Sequence, residues 1–197
     1  MHSWFDRRRP LCAALALVAT IALSACAGIP ASTMVRLAAF DTGRLLTLDP
    51  GDLIVAINAD ASVQAIEQSP TTFELRLRPR DPTAWAPVDR SVPMHVIPMQ
   101  AAFELPPAAP GRRWLLYSFD ERGAELLREV QRQFRELKDR KQGNGGSVGF
   151  GIGREWLAEN YPRLRDTSVQ TWLRLDRNEG FFELWSGRIR DLEKLES

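Results

Sequence analysis

Apolar and polar residues alternate strictly from Thr72 to Arg78. Phe73, Leu75 and Leu77 lie on one side, Glu74, Arg76 and Arg78 on the other. A period of two predicts a half-solvated antiparallel strand. Leu53 to Ala59 is instead almost continuously apolar, the pattern of a buried central strand, and the turn signal Asp49-Pro50-Gly51-Asp52 introduces it. Met34 to Phe40, Trp114 to Phe119 and Ser147 to Gly153 also read as strands. Val92 to Met99 has strand character, but Pro93 and Pro98 lack a ladder donor, so this segment is an edge strand or no strand. Ser168 to Asp176 and Phe181 to Gly187 predict a hairpin closed by Arg177-Asn178-Glu179-Gly180. The stretches Pro79 to Pro87 and Glu104 to Arg113 are proline-rich loops.

The period changes after Phe119. Leu127, Val130, Phe134 and Leu137 form one apolar stripe at helical spacing, and Asp120 can cap a helix running to about Lys141. Arg132 with Glu136, Arg135 with Asp139, and Glu136 with Arg140 are opposite charges four apart on its wet side. Gly143-Asn144-Gly145-Gly146 ends the helix, and Arg154 to Asn160 can form a helical turn. Numerous turn-bounded strands with one clear helix predict a mainly β fold. The expected form is an antiparallel β-sandwich-like domain with one long amphipathic helix packed on it, for which α+β is the alternative label.

The amino-terminal region has a different character. Arg7, Arg8 and Arg9 precede the apolar run Leu11 to Ala22, and Leu23-Ser24-Ala25-Cys26 follows. This is the layout of a secretory signal. The run is short for a membrane span, which needs about 20 residues. The leucine, small, small, cysteine ending resembles the lipobox of bacterial lipoproteins. That resemblance implies cleavage before Cys26, acylation of its thiol and acylation of the new amino terminus. It divides the chain into a signal peptide (1–25), a lipidated tether (26–33) read as flexible, and a single β-rich domain (34–197). In Gram-negative lipoproteins an Asp after the cysteine is associated with inner-membrane retention. Ala27 stands there instead, which implies the outer membrane, facing the periplasm.

Cleavage leaves about 170 residues, enough for one domain with a substantial core. It removes three arginines and one aspartate, so the formal charge of +1 for the whole chain becomes slightly negative. No global field draws such a domain to nucleic acid. Cys12 leaves with the signal, so the exported domain has no intrachain disulfide and must rely on packing. Trp85, Trp114, Trp156, Trp172 and Trp185 supply much of that apolar surface.

Candidate chemistry is sparse. Gly143 to Gly153 is glycine-rich, but no Lys-Ser or Lys-Thr pair follows, and it leads into a strand rather than a helix. Gly149, Gly151 and Gly153 would share one bare strand face. A hairpin pairing Asp176 with Phe181 would set Trp172 opposite Trp185 and Arg174 opposite Glu183. The tryptophans could then cover the glycines. Alternatively Trp172, Trp185, Arg174 and Glu183 form a solvent-facing interaction surface. His95 is the only histidine beyond the signal and reads as an edge or surface residue. One histidine without cysteine makes no usual zinc set, and no nucleophile motif accompanies it. Asp41, Asp49, Asp52 and Asp60 are explained by turns, though two could converge as an acid/base pair.

No catalytic residue, metal or cofactor is expected. The leading expectation is a non-enzymatic binding or accessory role for a lipid-anchored envelope protein. Its partners would be the membrane, through the acylated cysteine, and an envelope protein. One alternative is a carrier or sensor of an apolar ligand, in a cavity lined by Trp114 and Phe134. Another is a carboxylate-based envelope hydrolase.

Overall fold

The computed structural model describes residues 28–38, 40, 42–63, 71–100, 103–139, 146–153 and 164–192. The lipobox and the helical turn expected at 154–160 lie outside them. Among the described residues the order is α1 (Ala31–Ala38), α2 (Thr42–Thr47), β1 (Ile54–Asp60), β2 (Thr72–Pro79), β3 (Val88–Pro93) and β4 (His95–Ile97). There follow β5 (Arg112–Ser118), α3 (Glu121–Asp139), β6 (Gly146–Ile152), β7 (Ser168–Arg174), β8 (Phe182–Arg188) and α4 (Ile189–Leu192). The strands form a five-stranded sheet, β4-β5-β1-β7-β8, and a three-stranded sheet, β3-β2-β6. Every pairing is antiparallel. The mainly β reading therefore holds.

The two strongest patterns sit where their burial demands. β1 is the middle strand of the larger sheet, and Ile54 to Ala59 are all buried. β2 is the middle strand of the smaller sheet, where Phe73, Leu75 and Leu77 are buried. Val55, Ile57, Leu115, Tyr117 and Leu173 from the first sheet join these three side chains in one cluster. Leu127, Val130 and Phe134 of α3 enter the same cluster. Asp120 caps that helix, its Oδ1 accepting from the Gly123 amide at 2.7 Å.

The proline-flanked segment serves both sheets. β3 is an edge of the smaller sheet and β4 an edge of the larger. Between them the buried Met94 donates its amide to the Thr71 carbonyl at 2.8 Å. Edge positions tolerate Pro93 because its missing donor has no neighbour to serve.

Three expectations are corrected. First, Met34 to Phe40 is not a strand: Ala31–Ala38 is a helix, opened by Thr33 and Met34 amides donating to the Pro30 carbonyl at 3.0 and 3.1 Å. The segment has no alternation, and Thr33, Arg36 and Leu37 turn inward at helical spacing. Second, the chain from Gly28 to Thr33 is fastened rather than flexible. The Ser186 amide donates to the Gly28 carbonyl at 2.7 Å, and the Thr33 hydroxyl donates to the Glu183 carbonyl. These bonds cover the free edge of β8, which would otherwise offer unpaired groups to another chain.

Third, Arg132 bonds Glu129 rather than the expected Glu136; the other two expected pairs, with Asp139 and Arg140, rest on side chains outside the described residues. Arg135 donates to the Leu46 carbonyl at 3.1 Å, and the buried Gln131 donates to the Leu45 and Leu48 carbonyls at 2.9 and 2.7 Å. α3 thus satisfies the carbonyls that the short α2 leaves open at its end.

Candidate functional site

The hairpin carries the residues singled out above, and its register decides their placement. From Ser168 to Thr171 the strands pair so that Thr171 faces Trp185. Beyond Thr171 the register shifts, and Trp172 faces Glu183. The extra residue on β8 is a β-bulge. It puts the two tryptophans on opposite faces, since uninterrupted pairing from Trp172–Glu183 would set Trp185 opposite Gln170, on the same face as Trp172. Trp185, 6% exposed, enters the main core, while Trp172 stays on the outer face of the sheet. Of the four candidates, Trp185 therefore leaves the surface. Arg174 shares the outer face with Trp172, and the register sets Glu183 opposite Trp172 on that face, its carbonyl accepting from the Thr33 hydroxyl.

The glycine face is elsewhere too. β6 pairs with β2 in the smaller sheet, so Gly149 and Gly151 lie beside Arg76 and Glu74 on the outward side. No hairpin tryptophan reaches them. An indole does lie against glycines, but against Gly28 and Gly187, with Trp185 as the cover.

The outer face of the five-stranded sheet is the best-defined arrangement. Ile54, Ala56, Leu116 and Phe103 form a second buried cluster, with Trp114, Trp172, Phe181, Ile97 and Leu105 packed on it. Trp114 meets Trp172 edge to face, centroids 6.1 Å apart. Phe103 meets Phe181 likewise at 6.3 Å. The Arg174 guanidinium lies 5.4 Å from the Phe103 ring and 5.5 Å from the Phe181 ring. Its Nε donates to the Asp52 carbonyl at 3.1 Å. Burial lowers the pKa of Arg174, and the nearby Asp52 partly opposes this. The Asp52 carboxylate is itself held by Arg177, at 2.7 Å from Nε and 2.6 Å from Nη2, which raises the pKa of Arg177.

Beside the aromatic group is a polar fork. Arg112 donates to the side chain of the buried Asn58, to the Asn58 carbonyl at 2.6 Å, and to Ser168 O and Oγ at 2.9 and 3.0 Å. The Trp114 indole donates to the Pro106 carbonyl at 2.8 Å. The Trp172 Nε1 is buried without a partner among the described residues. This face presents half-buried rings and a fixed cation, which suits contact with another surface.

Among the described residues each candidate acid is engaged in its own turn or ion pair. Asp49 accepts from the Gly51 amide, Asp52 holds Arg177, and Asp60 accepts from Ser62. Asp41 lies outside the described residues. His95 is exposed on the edge strand β4, opposite Ser118. Trp114 and Phe134 belong to clusters on opposite sides of the larger sheet, so they line no common chamber. Among the described residues no three His, Cys, Asp or Glu side chains gather as a metal site, and no helix is long and apolar enough to cross a membrane. Comparison with protein-family models, curated proteins and solved structures gives no match.

Sequence reasoning missed Phe103 and Phe181 as partners of Arg174. Phe181 was legible as the start of the second hairpin strand. Phe103 lies in an irregular segment, and nothing in its local pattern says which face it covers.

Proposed function

We propose that this chain is a lipid-anchored protein of the bacterial cell envelope. It is held at the outer membrane facing the periplasm, and its domain has a non-enzymatic binding or accessory role toward an envelope protein. The observation that carries this reading is the Leu23-Ser24-Ala25-Cys26 box, preceded by a basic start and an apolar run. Acylation of one cysteine by several chains anchors firmly, since each buried methylene contributes about 0.8 kcal/mol and two chains already hold stably. The outer face with Trp114, Trp172 and Arg174 supports the binding role, because aromatic rings and arginine are enriched where proteins contact each other.

The test has two arms. Cys26→Ser should abolish labelled palmitate incorporation and move the protein out of the membrane fraction. A photo-crosslinking residue at position 172 should form a discrete adduct with one envelope protein in intact cells, and the same residue at exposed Glu125 should not. Palmitate labelling of Cys26→Ser equal to wild type would refute the anchor. Identical adduct patterns at both positions would refute the aromatic face as a contact site.

A further inference from the structure

We propose that α1 lies on the bilayer surface beside the acylated cysteine, with Met34 and Val35 in contact with lipid. This rests on the lipid-anchored reading above. Cys26 stands two positions before Gly28, with only Ala27 between them. A chain spans at most about 3.6 Å per residue, so the anchor lies within about 7 Å of Gly28. Gly28 has no slack. Its carbonyl takes the Ser186 amide at 2.7 Å, and Trp185 packs against it. Thr33, 2% exposed, pins the helix to β8. A bilayer that holds the cysteine is therefore brought beside the helix.

The face that α1 leaves uncovered suits lipid. Thr33, Arg36 and Leu37 turn toward the domain, and the Arg36 guanidinium stacks on the Phe182 ring at 4.8 Å. Ala31, Ser32, Met34 and Val35 turn outward. Val35 is 73% exposed, the largest value for a big hydrophobic among the described residues, and Met34 is 39% exposed. The helix has no acidic residue to repel anionic headgroups. Eight residues of helix, about 12 Å long, bury too little to bind alone. Beside a fixed acyl anchor they need only settle on a surface already present. This contact would orient the domain, with β8 toward the bilayer and β4 at the opposite edge of the sheet, about 19 Å away at ordinary strand spacing.

The test uses the full chain, matured in cells and reconstituted in phosphatidylethanolamine–phosphatidylglycerol vesicles. Cys12 leaves with the signal and the Cys26 thiol is acylated, so Val35→Cys provides a unique thiol for an environment-sensitive fluorophore. Leu126→Cys, on the exposed side of α3, is the control. The proposal expects blue-shifted emission from the probe at position 35, and quenching by lipids brominated about 5–10 Å below the headgroups. The probe at position 126 should show neither. Palmitate-labelled protein whose position-35 probe stays water-like overturns the membrane contact while leaving the anchor intact. Equal quenching at both positions overturns it too. Absence of palmitate refutes the anchor itself, and the proposal falls with it.

Discussion

The indole of Trp185 occupies the space that a side chain at Gly28 would need. A Cβ there would sit 2.5 Å from Trp185 Nε1 and nearer still to the Ser186 carbonyl, and Gly28 has φ +103°. The neighbouring Gly187 is equally constrained, with its Cβ position 2.5 Å from Trp185 Cζ2. Gly28→Ala should therefore loosen the clasp on β8, at a local cost of about 1–3 kcal/mol for strain and overpacking. Hydrogen exchange at the Ser186 amide is the direct readout. Protection equal to wild type would show that the site absorbs a methyl group.

Gly151→Val should be nearly neutral, within about 0.5 kcal/mol. Its Cβ would meet the Glu74 side chain, tightest at the flexible end with Oε2 at 3.3 Å and in ordinary contact with Cβ at 3.8 Å, on the outward side of the smaller sheet. A bare face beneath the hairpin tryptophans would instead make this change overpack. A clear fall in the urea midpoint would mean that something large covers this strand.

Arg112→Lys should cost about 1–3 kcal/mol. The guanidinium serves the Asn58 side chain, the Asn58 carbonyl and Ser168 together. An ammonium cannot span these acceptors, and Asn58, 4% exposed, would be left without its partner. Urea unfolding of the purified protein measures the loss. A change below about 0.5 kcal/mol would mean that water replaces the fork.

Two turns should contribute to acid sensitivity. Asp60 is held below its ordinary pKa by bonds from the Ser62 hydroxyl and amide, and Asp81 by the Thr83 amide and hydroxyl. A carboxyl whose pKa is lower when folded stabilises the fold above its unfolded value, about 3.9. That stability is lost as pH falls through the folded value. Thermal melting from pH 6 down to the acid limit should therefore fall less steeply below about pH 4 for a combined Asp60→Asn and Asp81→Asn variant than for wild type. Parallel slopes would show that other carboxyls dominate.

Much of the candidate site was invisible along the chain because pairing is a long-range property. Alternation placed Trp172 and Arg174 on the same side of a strand, and both are on the outer face of the larger sheet. It could not show that Phe103, some 70 positions earlier, lies over that face. Nor could it show the shift after Thr171, because a bulge is defined by the partner strand's count as well as its own. The error over Trp185 follows from that one extra residue.

Where local periodicity was strong, the sequence determined the element. The alternation of β2, the apolar run of β1 and the stripe of α3 with its Asp120 cap each follow from burial of one face or of both. The lipobox resemblance is equally linear, since it is carried by four adjacent residues. Met34 to Phe40 had no such guidance, being apolar at every position but Arg36. Only the tertiary structure made its beginning a helix against β8, because Gly28 and Thr33 already cover that strand's free edge. Tertiary structure likewise assigned β6 to the smaller sheet. Period two fixes which residues share a face, but the partner strand is chosen by the burial of the whole core.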